Sequence, residues 1–101
     1  MNRDFILNIA EYDKANGTLV RKIARGNKKA GTVIGSLDAY GYLVAEFNRK
    51  KYKIHRLVWL IETGEFPESQ LDHVNQKKDD NRFCNLRAVS HKANGKNRPL
   101  Q

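Results

Sequence analysis

Between Gln70 and Asn97 the chain reads "QLDHVNQKKDDNRFCNLRAVSHKANGKN". Asp72 and His73 are adjacent, Asn75 follows, Asn85 and Leu86 form a second pair, and His91, Asn94 and Asn97 close the run. A packed core has little use for so many amides and charges, so this composition reads as a site. An imidazole with an ordinary pKa of about 6.5 exchanges a proton near neutrality, and carboxylate and amide oxygens suit hard cations. An Asp-His pair alone is weak evidence for catalysis, and the joint pattern is what carries weight.

Those residues must be positioned by a small molecule. The chain has 101 residues, 40% of them hydrophobic and 30% charged. That allows one domain or two interlocked subdomains around a thin core. A formal net charge of +8 and a pI near 9.8 favour a polyanionic partner, with nucleic acid the default. No apolar run approaches the roughly 20 residues that span a bilayer, and "MNRDFILNIAEYDK" lacks the apolar core of a secretory signal. The expected location is soluble and cytoplasmic. Cys84 is the only cysteine, which excludes an internal disulfide and a zinc knuckle of several thiolates from one chain. Its expected place is as a small buried apolar residue.

Phe5 to Ala10 is a short apolar stretch, and Asn16-Gly17 is a turn signal ahead of a β-type run from Thr18 to Ile23. The glycines of "ARGNKKAG" make it a loop. Arg21, Lys22, Arg25, Lys28 and Lys29 gather there as a basic cluster, either solvated or, given the charge excess, on phosphates. Thr32 to Ile34, Gly41 to Phe47 and Tyr52 to Ile54 are expected to form a small antiparallel sheet, with "NRKK" as a hairpin turn. Tyr40, Tyr42 and Tyr52 lie among basic residues, which suits either the sheet's core or a nucleic-acid surface. Ile54, Leu57, Val58 and Ile61 then share one helical face, with Gly64 and Pro67 as the stop, which predicts a helix from His55 to Thr63. Trp59 lies off that stripe and is expected to cover the strand carrying Asp72; for His55, a structural role is the simpler reading. In the final stretch, Leu86 and Val89 should turn inward, Arg87 should face DNA or solvent, and Ser90 suits the N-cap of a last helix that Pro99 ends.

"LDHVN", "DDNRFCNLR" and "SHKANGKN" resemble the HNH nuclease motif, the ββα-metal fold, in the form found in phage-encoded and homing endonucleases. "GYLVAEFNRKKYKIHRLVWLIETGEFP" resembles the sheet and helix that often precede it, and taken together with the strand pattern ahead of it the resemblance runs from Gly31 to Asn97. It implies a metal-dependent endonuclease that hydrolyses phosphodiesters in double-stranded DNA. His73 matches the general base, Asp72 and Asn94 the metal ligands, and Asn85 the central asparagine, which ties the loop back and holds the histidine strand. The oxygen ligands imply Mg²⁺, or Mn²⁺ in its place, and no structural zinc. Asn94 lies nine residues after Asn85 and His91 only six, so the pattern is an HNN variant, with His91, Asn97 and Asn75 as possible supports of the site. Arg49, Lys51, Arg56, Arg87 and Lys92 join the basic loop as expected DNA contacts.

The expected fold is α+β. An N-terminal sheet and helix over residues 1–66 pack on an HNH motif over 67–101 through one shared core, as a monomer or homodimer. One motif cuts one strand, so a double-strand break needs two copies or two events. A non-catalytic DNA-binding module is the alternative. A basic RNA-associated protein also fits the charge, but gives no reason for Asp72, His73 and Asn94 at nuclease spacing.

Overall fold

The computed structural model describes residues 1–24 and 26–89, so Arg25, Ser90, His91, Lys92, Asn94, Asn97 and Pro99 lie outside the described residues. The chain begins with helix α1 (Arg3–Ile9), started by Asn2, whose side-chain oxygen accepts from the Phe5 amide at 2.8 Å. A hairpin follows, β1 (Ala10–Asp13) paired antiparallel with β2 (Thr18–Arg21). The run after Asn16-Gly17 is thus a strand, though shorter than Thr18 to Ile23: Ile23 is exposed and beyond the pairing. The apolar stretch before it divides into a helix and a strand.

β3 (Ser36–Leu37), β4 (Leu43–Phe47) and β5 (Lys50–Lys53) form an antiparallel sheet in that order. Its first strand is not Thr32 to Ile34. That segment lies beside β2, with the Arg21 amide donating to Thr32 O at 2.8 Å and the Ile34 amide to Leu19 O at 2.7 Å. The turn from β4 to β5 is two residues, Asn48 and Arg49, both left-handed at φ of 52° and 67°. This handedness matches the twist of paired strands. Helix α2 (Ile54–Thr63) follows β5 directly and ends at Gly64, whose φ of 89° closes the helix with an amide bond to Leu60 O. β6 (Gln70–His73) then pairs antiparallel with β7 (Leu86–Val89), reached through a 3-10 turn at Phe83–Asn85. The fold is α+β.

One apolar cluster joins these parts. Ile6 of α1, Leu19 of β2, Phe47 of β4, Ile54, Leu57 and Val58 of α2, and Leu86 of β7 are all buried in it. Trp59 packs on Phe83, with ring centroids 5.3 Å apart, and so covers the entrance to β7 rather than the strand carrying Asp72. Cys84 is exposed, contrary to expectation. In that turn Phe83 faces α2 and Asn85 faces inward, which leaves Cys84 on the outside.

Candidate active site

β6 and β7 set the frame. His73 pairs with Leu86 and Asp72 with Arg87, so alternate residues of β6 face opposite sides. His73 is only 5% exposed, while the Asp72 side chain is 49% exposed. Arg87 reaches across and donates to Asp72 Oδ2 from Nε at 3.1 Å and from Nη2 at 2.7 Å. The described residues contain no group of three or more His, Cys, Asp and Glu side chains able to hold a metal ion.

The loop from Val74 to Cys84 is strapped by amides. Asn85 donates from Nδ2 to Asn75 Oδ1 and to Asp80 O, both at 2.9 Å, and its Oδ1 accepts from the Asn75 amide at 3.0 Å. Its backbone oxygen accepts from the Val74 amide at 2.8 Å. Asn75 also donates to Asp80 Oδ2, which with Asp80 Oδ1 receives the Arg82 guanidinium, each bond 2.8 Å. The Arg82 bonds come first among the causes that hold the Asp80 carboxyl below the usual carboxylate range.

In the sequence Asn81 reads, with Asn75, as an amide that serves the loop after His73. It sits in the polar run "DDNR" yet is 1% exposed, and its Oδ1 lies 2.9 Å from His73 Nε2. Its Nδ2 is buried without a hydrogen-bond partner among the described residues. The other side of His73 meets rings. His55 packs edge-on at 5.0 Å between centroids, and Tyr42 lies 6.1 Å from His73 and 5.7 Å from His55. Burial, together with the charges of His73, Lys53 and Arg56, pushes the His55 pKa down to about 4. At neutral pH, His55 is therefore an uncharged neighbour of His73.

Basic groups border this cluster. Lys53 Nζ stands 4.1 Å from the centre of the Tyr42 ring and Lys78 Nζ 5.2 Å, and Lys78 also donates to Tyr40 O at 3.1 Å. An open groove of about 430 Å³ runs alongside, lined in part by Tyr42, Lys51, Lys53, His55 and Arg56. Lys53 and Lys78 join Lys51 and Arg56 here, and only the tertiary fold reveals them, since they come from β5 and from the loop after β6. Tyr52 also lines the groove and stacks on Phe66, and Tyr40 is exposed.

The other expected DNA contacts stand apart from this groove. Lys28 and Lys29 are exposed in the loop after β2. Lys22 donates to Leu7 O at 2.8 Å, and Arg21 Nε approaches Thr32 Oγ1 at 3.4 Å. Arg49 occupies the tip of the β4–β5 turn.

Residues 52–96 match the sequence model of the HNH endonuclease family. Over that stretch the chain is similar to HNH endonucleases. That segment takes in α2 and the whole strapped loop, with His55, His73, Asn81 and Asn85 inside it. The fold is similar to a solved structure of the HNH homing endonuclease I-HmuI, one of DNA binding and cleavage, with a TM-score of 0.63 at 23% identity. The match covers 90% of this chain and 52% of the other, so the chain spans about half the length of that protein. The likeness extends the shared fold well beyond the HNH segment. A search of the curated proteins found no match.

Proposed function

We propose that the chain is a metal-dependent endonuclease of DNA, hydrolysing phosphodiester bonds with His73 as general base and one divalent cation. The observation that carries the reading is His73 itself, a buried imidazole held by an amide oxygen at the end of the strand that presents a half-exposed carboxylate. Attack on a phosphodiester needs a water relieved of its proton, and His73 takes that proton. Asp72 fits a hard cation, because both bonds from Arg87 fall on Oδ2 and leave Oδ1 without a partner among the described residues. Asn94 is the proposed second ligand. When bound, the cation neutralises charge on the phosphate and the leaving 3′ oxygen. The groove lined by His55, Lys51, Lys53 and Arg56 offers a path for the DNA backbone. I-HmuI, to which the fold is similar, binds and cleaves DNA, and that supports the same substrate here.

The decisive experiment is incubation with supercoiled plasmid and Mg²⁺, scoring nicked against linear product. Cleavage that requires the cation, is lost in His73→Ala and leaves DNA binding intact is the expected result. Full activity in a folded His73→Ala variant sinks the assignment. A non-catalytic DNA-binding module is the second reading, favoured by the Arg87 contact that already engages Asp72. Binding without cation-dependent cleavage would establish it.

A further inference from the structure

The structure assigns Asn81 as the positioning residue that fixes the tautomer of His73, with the tip of the N-terminal hairpin as its clamp. The inference rests on the nuclease reading for its consequence, but not for its geometry. An amide oxygen can only accept, so the 2.9 Å contact requires the hydrogen of the neutral imidazole to sit on Nε2. The lone pair is then on Nδ1, the nitrogen left to receive a proton.

Two further observations separate this from an ordinary loop contact. Asn81 is 1% exposed, and its Nδ2 finds no partner among the described residues. Leaving an amide N–H unpaired in a buried place is unfavourable, and a loop whose other amides are so well strapped would do better with an apolar residue there. The residue is explained by what its oxygen holds. Second, Gly17 in the turn between β1 and β2 is buried against the backbone of Asn81 and Arg82, so closely that a Cβ there would collide with both. Gly17 also has a φ of 66°, which any side chain would strain. Its amide is anchored to Asp13 O at 2.8 Å, and Asp13 accepts further bonds from Asn16. The hairpin lies outside the HNH segment, so the orientation of His73 depends on a part of the chain that the segment does not contain.

The test reads the tautomer directly, through the imidazole ¹⁵N shifts of His73 at about pH 8, where an imidazole is neutral. The expected wild-type result is a protonated Nε2 and a bare Nδ1. Asn81→Leu keeps the volume without the acceptor and should mix the tautomers, while plasmid cleavage falls about 10- to 100-fold and DNA affinity is unchanged. Asn81→Asp restores the acceptor and should restore the single tautomer. Gly17→Ala should move in the direction of Asn81→Leu, because it displaces the Asn81 backbone. A wild-type ring protonated on Nδ1, or a folded Asn81→Leu protein with an unchanged tautomer, overturns the inference. A folded Gly17→Ala protein with unaltered tautomer and rate overturns the clamp. Should Asn81→Leu fail to fold, the wild-type spectrum still decides the assignment of Nε2. If the wild-type protein cuts no DNA but shows the expected tautomer, the nuclease reading fails and the positioning geometry survives.

Discussion

Single side chains divide here into those that meet the reaction and those that hold others still. Asn85 belongs to the second kind, with three side-chain hydrogen bonds spent on Asn75 and Asp80. Asn85→Ala should cost about 3 kcal/mol, since each bond contributes roughly 1 kcal/mol and the Asn75 amide loses its acceptor. Urea unfolding of the variant measures this directly. Asp72 and Arg87 pose a different question, because the cation proposed at Asp72 would share that carboxylate with the Arg87 guanidinium. Arg87→Ala should therefore lower the Mg²⁺ concentration at which cleavage is half-maximal. Asn94→Ala should raise it steeply, Asn94→Asp should keep or lower it, and His91→Ala should do much less. Titration of cleavage rate against Mg²⁺ for these variants checks all four, and a loss in His91→Ala exceeding that in Asn94→Ala removes Asn94 from the metal site.

At the scale of elements, local signals and tertiary contacts part company. The i, i+3, i+4 pattern of Ile54, Leu57, Val58 and Ile61 was enough to find α2, and Gly64 closes it because a left-handed residue is needed there. The hairpin of β4 and β5 was legible from alternation, and Asn16-Gly17 from turn chemistry. Helix α1 and strand β1 were not, because seven and four residues hold too little periodicity to separate one from the other. Thr32 to Ile34 has strand composition, yet its backbone bonds go to β2, a pairing that only the tertiary fold selects. The burial of Asn81 was illegible for the same reason: nothing local marks one amide in a polar loop as the one that will be buried. The β4–β5 turn yields a prediction of its own. Arg49 holds a φ of 67°, where glycine is preferred. Arg49→Gly should raise stability by up to about 1 kcal/mol. If Arg49 contacts phosphate, the same variant should bind DNA more weakly, so thermal melting and binding would move in opposite senses.

For the molecule as a whole, charge and pH act over the entire fold. The excess of eight positive charges favours a polyanion wherever it docks, and the exposed loop after β2 is one candidate. Replacing Arg25, Lys28 and Lys29 by alanine should weaken DNA affinity and flatten its salt dependence by up to about one counterion for each lost contact. An unchanged slope means those charges only face water. Stability should also follow His55, whose pKa is lowered from 6.5 to about 4 in the folded chain. Its contribution is complete above pH 6.5 and is lost as the pH falls to about 4, because the unfolded chain takes up a proton that the folded one resists. The loss is on the order of 3 kcal/mol, and urea midpoints for His55→Phe should be correspondingly flatter across that window. Finally, the packing of Trp59 on Phe83 has an optical consequence. As the single tryptophan, it rests on the turn that delivers Asn85 into the loop. Its emission therefore reports, without any added label, the moment that turn lifts away from α2.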